Sequence, residues 1–307
     1  MYTNKNNKIR VLVTGASGFL GKNLALYLSK EIFTFIPVSY REDFNISLFH
    51  NTDVIIHLGG KAHDVINAAK DEEYVKANYL LTQKLFDQFV NSDVKTFIFL
   101  SSVKAVTDRA DEPLTEEAIA NPTSIYGRSK NLAEEYILKQ TLANSKRFFV
   151  LRPCMIHGAG NKGNLNLLYN FVSKGLPWPL GAFENERTLC SIDNICFVIK
   201  ELIENETILS GIYNIADDDP ISTNQLIQLI SESQGKKTFI FKIPKPLIKF
   251  LAKSGDLFGL PLNSERLNKL TENFIVSNKK IKLALNKQLP VTTKDGLTKT
   301  FNSFKNA

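Results

Sequence analysis

At 307 residues, 43% hydrophobic and 22% charged, the chain has the size and composition of a globular protein with a sizeable core. Its net charge of +7 comes from scattered lysines with no block of five or more basic residues, which argues against nucleic acid as a partner and suits a solvated surface that helps steer an anionic substrate. Three cysteines without a CxxC pair argue against a disulfide framework or a metal site; no apolar run reaches the ~18 residues of a membrane span, and Met1–Lys8 is too polar for a secretory leader, so a cytoplasmic protein is expected.

The first element is an apolar strand, Ile9 to Val13, that ends in Thr14-Gly15-Ala16-Ser17-Gly18-Phe19-Leu20-Gly21 and passes into a helix with Leu24 and Leu28 on one face. A buried strand turning into a helix N-terminus makes an anion site, because the first N–H groups of the helix are unpaired and its dipole favours negative charge. Glycines serve where bare backbone must come close to a pyrophosphate, although the spacing here is Gly-x-x-Gly-x-x-Gly and not the commoner Gly-x-Gly-x-x-Gly. Further strands are predicted at Phe33–Val38, Asp53–Leu58, Thr96–Leu100 and Arg147–Leu151, and helices over 72–90 and 122–142. Continuously apolar strands alternating with helices predict an α/β fold, a doubly wound parallel sheet with helices on both faces. Ligands on such a sheet bind beyond the carboxyl ends of its strands, where Gly59-Gly60, Ser101-Ser102 and Arg152-Pro153 stand.

After Pro153 the pattern loosens. Loops are predicted at 158–164 and 175–181, helices over 165–174, 194–205 and 223–234, and short β segments near 188–192, 211–215 and 239–243. Residues 1–153 are thus expected to form a dinucleotide-binding domain, and 154–307 a smaller substrate lobe interleaved with the end of the sheet. Leu247 to Lys253 is short, apolar and basic; it is expected to be a lobe helix with its lysines in water, a membrane-surface contact being the alternative.

Tyr126 and Lys130 are four residues apart within a predicted helix and so share a face. A free phenol titrates near ~10, too high for a base at neutral pH; a neighbouring ammonium and an oxidised nicotinamide would both bring it down. Ser102, at a strand end, can hydrogen-bond the same substrate oxygen. An acid/base, an orienting donor and a cofactor alongside are what hydride transfer to or from a secondary alcohol requires. His57 reads as a satisfied core histidine, Cys154 as a small wall residue, and His63 and His157 as loop residues without metal-ligand spacing.

These stretches together resemble the extended short-chain dehydrogenase/reductase family, the group of NAD-dependent epimerases and dehydratases. The resemblance rests on Thr14–Gly21, Asp53–Leu58, Phe97–Lys104, Tyr126–Lys130, Leu151–Pro153 and Arg187–Asn194, and covers nearly the whole chain. It implies a Rossmann-type fold and a catalytic set of Ser102, Tyr126 and Lys130. It also implies one NAD or NADP per chain, held by Gly15, Ser17, Gly18, Phe19, Leu20, Gly21, Leu58, Gly59 and Lys130 and by Arg41 near the end of the second strand. The segment from Gly163-Asn164 to Gly181 is similar to enzymes acting at C4 of UDP-sugars, with Lys104, Tyr126, Asn164 and Arg187 at the substrate, Arg187 and Asn164 on its diphosphate or nucleotide. Such enzymes are 4-epimerases and 4-keto reductases of polysaccharide biosynthesis.

Two departures bear on the chemistry. Val103-Lys104 stands where dehydratases carry an Asp-Glu pair, which argues against loss of water. Ser39-Tyr40-Arg41 stands where NAD-selective members place an acid, with Asp43 slightly late; Arg41 could accept a 2′-phosphate, so NADP(H) is expected to be usable. The expectation is an NAD(P)-dependent UDP-sugar 4-epimerase, or with the same residues a 4-keto reductase, and a homodimer through the helices containing Tyr74–Val90 and Ser124–Leu142. A non-catalytic nucleotide-binding protein on the same fold is the remaining alternative.

Overall fold

The computed structural model describes residues 8–29, 32–39, 46–61, 70–161, 163–259 and 262–305; Arg41, Asp43 and His63 lie outside the described residues. In chain order the elements are β1 (Ile9–Thr14), α1 (Phe19–Leu28), β2 (Phe33–Val38), β3 (Val54–His57), α2 (Asp71–Tyr74), α3 (Leu81–Val90), β4 (Thr96–Leu100), β5 (Ala110–Leu114), α4 (Ile125–Leu138) and β6 (Arg147–Pro153). They continue with β7 (Met155–His157), α5 (Asn164–Ser173), β8 (Leu189–Ser191), α6 (Ile192–Glu204), β9 (Gly211–Ile215), α7 (Thr223–Ser233), α8 (Lys245–Phe258), α9 (Ser264–Thr271), β10 (Phe274–Val276), α10 (Lys279–Leu285) and α11 (Thr293–Phe304).

Six strands form one parallel sheet in the order β2-β1-β3-β4-β6-β9. Alternation within each strand divides its side chains between two faces. Val11, Val13, Val54, Ile56, Ile98, Phe149 and Leu151 pack with Leu24 of α1 and Ile195 and Ile199 of α6. Leu12, Ile55, Phe97, Phe99 and Val150 point the other way, onto Phe86 and Phe89 of α3 and Ala133 and Ile137 of α4. Both faces are covered, which is why these strands read as unbroken apolar runs. A third cluster lies outside the sheet: Leu165, Trp178, Ile227, Ile248, Leu267 and Phe301 draw together α5, α7, α8, α9 and α11.

From β1 the chain runs to β2 on one side, and from β3 onward to the other, so the strand order reverses between β1 and β3. The two strand ends meet there. Gly15 has φ of +71°, and a Cβ on it would sit 2.7 Å from Gly59 N; a Cβ on Gly21 would sit 2.5 Å from the Gly15 carbonyl oxygen. Both obstacles are backbone and cannot swing aside. Gly21→Ala is therefore expected to lower stability by more than ~1 kcal/mol and to weaken dinucleotide binding together with it. Urea unfolding and a nucleotide titration measure the two effects.

Several boundaries differ from expectation. The helix predicted over 72–90 is one continuous rod with a π-helical turn at Val75–Leu80. The helix predicted over 122–142 begins at Ile125, because the Ser124 side chain accepts from Gly127 N and caps it, and it stops at Leu138. The expected strand at 239–243 makes only single bridges, Ile240 to Trp178 and Lys242 to Leu180. His157 is not in a loop: it ends β7, fully buried, with Nδ1 2.9 Å from Thr300 Oγ1 and Nε2 3.2 Å from Asp217 Oδ2. No helix among the described residues is long and apolar enough to cross a membrane.

Candidate active site

The site is built from the carboxyl ends of the strands. The α1 N-terminus follows directly from β1; its N-cap, Gly18, offers no side chain to the first turn, and no acidic residue stands there. The first-turn N–H groups, those of Phe19, Leu20 and Gly21, have no partner within the helix. Leu58 and Gly59 close the other side, with Gly59 N donating to Thr14 Oγ1 at 3.2 Å. This bare, acid-free helix start fits the diphosphate of a dinucleotide.

His57, below it, is fully buried and bonded on both nitrogens, to Thr14 Oγ1 at 2.6 Å and Thr82 Oγ1 at 2.9 Å. The Thr82 hydroxyl already donates to the Asn78 carbonyl, so it accepts from His57 Nε2, and Nδ1 accepts from Thr14. Burial first, and the Lys130 charge second, lower the His57 pKa to about 3. It is a neutral core histidine, as its place in an apolar strand suggested.

Tyr126 lies in the first turn of α4, half-buried, with its ring edge-on to Tyr74 at 6.4 Å between centroids. The Ser102 side chain stands close enough to its hydroxyl to ease its proton off. Lys130, one turn on, is 5% exposed; its Nζ donates to the Leu100 carbonyl at 2.8 Å and lies 4.7 Å from the centre of the Phe99 ring. The expectation that Lys130 brings the phenol down is not met in this state. Burial, with Tyr74 adding to it, raises the Tyr126 pKa and Ser102 opposes, while the Lys130 ammonium is turned to the Leu100 carbonyl.

Burial lowers the Lys130 pKa to about 8, against the pull of Glu134. Between there and the ordinary lysine range near ~10.4, the unfolded chain binds a proton that the folded chain does not. Stability should therefore rise with pH over that window, by on the order of 2–3 kcal/mol relative to Lys130→Met. Urea unfolding of both proteins from neutral pH to the alkaline end of the window measures this; parallel curves would contradict it.

Lys104 follows Ser102 and reaches across the crevice. Its Nζ donates to the Asp108 carbonyl at 2.9 Å, pairs with the Asp108 carboxylate at 3.3 Å, and lies 5.0 Å from the Phe274 ring centre. Burial lowers its pKa, Asp108 opposes, and the Arg187 charge lowers it further. Arg187 is itself pulled down by burial, with Glu272 opposing, and its Nη1 donates to the Lys269 carbonyl. Two partly desolvated cations in one neighbourhood favour an anion there. Asn164 is exposed at the first position of α5, and no contact joins it to this pair. Cys154 is buried at the crevice wall, and burial pushes its thiol up, which suits a wall residue and not a nucleophile.

Three supporting residues escaped the sequence reading. Buried Asn78, in the π-helical turn, accepts from Lys61 N at 2.7 Å and donates to Ser129 Oγ at 3.0 Å, while Ser129 Oγ donates to the Tyr126 carbonyl at 2.8 Å. Asp108 ties the start of α4 to Lys104. Burial pushes its carboxyl up, but the Thr123 hydroxyl, the Ser124 and Thr123 N–H groups and Lys104 outweigh this and hold it well below the usual range. Glu134, two turns from Tyr126 on α4, pairs with Arg152 in the interior. A π turn carrying a buried polar residue beside a site is a known functional mark, but its register is not visible in the apolar periodicity.

A parallel sheet with an anion-binding glycine turn at its reversal point and a Ser-Tyr-Lys set beyond its strand ends defines a Rossmann-type dinucleotide protein. More narrowly, the chain belongs to the NAD dependent epimerase/dehydratase family, whose model matches residues 11–216. It is similar to a UDP-glucose 4-epimerase of Vibrio cholerae, 28% identical over 97% of this chain and 96% of that one. It is similar also to an N-acetyl-α-D-glucosaminyl-diphospho-ditrans,octacis-undecaprenol 4-epimerase of Escherichia coli O157:H7, 26% identical over 77% of this chain and 76% of that one. The crystal structure of a UDP-N-acetylglucosamine 4-epimerase from Bacillus cereus shares the fold, with a TM-score of 0.77 at 18% identity over 98% of this chain and 100% of that one.

Proposed function

We propose that this protein oxidises and reduces C4 of a UDP-hexose or UDP-N-acetylhexosamine, acting as a 4-epimerase. The observation that carries the reading is Ser102 beside the Tyr126 hydroxyl with Lys130 one helical turn away, at the rim that also holds the glycine turn. The 4-epimerases among its relatives support the choice of carbon.

A bound nicotinamide dinucleotide supplies the hydride acceptor and donor, with residues 1–153 holding it and 154–307 holding the nucleotide-sugar. Phe19, Leu20 and Gly21 offer backbone N–H groups to its diphosphate, Ser17, Leu58 and Gly59 line its path, and Lys130 reaches its ribose. Tyr126 takes the proton of the 4-OH as C4 loses hydride, and returns it when hydride comes back to the opposite face of the 4-keto sugar. Ser102 orients that oxygen throughout. Arg187 and Asn164 hold the substrate diphosphate and nucleotide, and Lys104 lies beside the sugar.

The test is incubation of the purified protein with UDP-glucose and with UDP-N-acetylglucosamine, without added cofactor, followed by chromatography of the products. Interconversion with the C4 epimer is expected. Turnover that requires added NADPH and a 4-keto sugar would make the protein a reductase on the same residues; failure to bind any dinucleotide would end both readings. The chain is proposed to pair as a homodimer through α3 and α4, where Leu132 and Leu138 are 41% and 46% exposed and Leu80, just before α3, is 48% exposed.

A further inference from the structure

The α8 helix of the substrate lobe has apolar residues on two sides. Ile248, Ala252 and Gly255 face inward; Ile248 and Ala252 join the lobe core, and a Cβ on Gly255 would strike the Leu262 carbonyl. At ~100° per residue, Leu247, Phe250, Leu251, Leu257 and Phe258 fall together on a separate arc of roughly 120°. All five are exposed, Phe250 at 67%, Leu257 at 79% and Phe258 at 72%. The extended segment that leads into the helix adds two more: Phe239 at 72% and Phe241 at 54%.

Charge on the same helix is one-sided. Lys245, Lys249 and Lys253, each one turn apart and exposed, form a row along the other flank, and Lys253 borders the arc beside Leu257. The helix carries one carboxylate, Asp256, and that accepts from the backbone and hydroxyl of Ser264. An exposed stripe of Phe and Leu edged by a lysine row is the pattern of a helix lying in the plane of an anionic lipid surface, its rings among the upper acyl chains and its ammonium groups at the phosphates. A second copy of this chain fits less well: a two-fold contact along α8 would set one lysine row against another with no acid to meet it.

We propose that α8, with Phe239 and Phe241, docks this protein reversibly on an anionic membrane surface. The proposal does not depend on which nucleotide-sugar the crevice takes. The experiment is flotation of the full-length protein with phosphatidylcholine vesicles that contain phosphatidylglycerol, and with phosphatidylcholine vesicles alone. Binding to the anionic vesicles is expected, weakening as salt is raised, with at least about tenfold less on the neutral ones. Phe250→Ser combined with Phe258→Ser should weaken binding by about tenfold or more, and Lys249→Glu with Lys253→Glu similarly, while dinucleotide binding and thermal melting stay as in the parent. No flotation of the parent protein would overturn the proposal. So would binding that the variants leave unchanged, or an oligomer by analytical ultracentrifugation that the Phe variant dissolves while vesicles are ignored.

Discussion

Tyr126→Phe is expected to lower kcat by roughly 10²–10⁴-fold on whichever UDP-sugar the protein turns over, with little change in KM. The ring keeps its edge contact with Tyr74 and its place in the first turn of α4, so the change removes the proton carrier and leaves the scaffold. The residual rate should lose its dependence on the phenol. In the parent that dependence is set by opposed effects, burial that holds the proton on and the Ser102 side chain that eases it off. Ser102→Ala should fall in the same direction by a smaller factor, since Ser102 orients the oxygen and eases the phenol but does not take or give up the reacting proton. Steady-state kinetics and a pH profile decide the matter; a Phe variant with the parent's kcat would sink the assignment of Tyr126 as acid and base.

The second large effect concerns stability. Arg152 and Glu134 are 4% and 1% exposed, and Arg152 Nε donates to both carboxylate oxygens, at 3.1 and 3.0 Å. Ser101 Oγ donates to the same carboxylate. Arg152 Nη1, by contrast, is buried with no hydrogen-bond partner among the described residues. Removing the carboxylate alone leaves a guanidinium in the interior with nothing to answer it. Glu134→Ala should therefore cost roughly 3–5 kcal/mol in urea unfolding. Replacing both partners with apolar residues, Glu134→Leu with Arg152→Met, should recover most of that loss, because the desolvation of two charges goes with the pair. The pair spans α4 and β6, so it also holds the Tyr126 helix against the sheet. The double variant should regain stability before it regains kcat, a split that a purely catalytic role for Glu134 would not produce.

Much of the frame was legible before any coordinates. The glycine turn, the strands at 33–38, 96–100 and 211–215 and the Tyr126–Lys130 pair all come from local rules: unbroken apolar runs, glycine where backbone meets backbone, and four-residue spacing on a helix. The place of Ser102 at the end of a strand was legible for the same reason, since ligands on a parallel sheet bind beyond its strand ends. Arg187 was found by likeness to a family motif, but the action of its charge on Lys104 was not foreseen, because the two lie far apart in the chain.

What the sequence determined by itself is therefore the parallel sheet, its glycine turn and the candidates for the reacting groups, all of which follow from patterns within a dozen residues. The tertiary structure decided their state. It committed the Lys130 ammonium to Leu100, buried Tyr126 so that the phenol rises, turned His157 from a loop residue into a buried partner of Asp217, and left an apolar stripe of α8 facing outward. Desolvation and exposure depend on what packs from distant parts of the chain, and no local pattern carries that information.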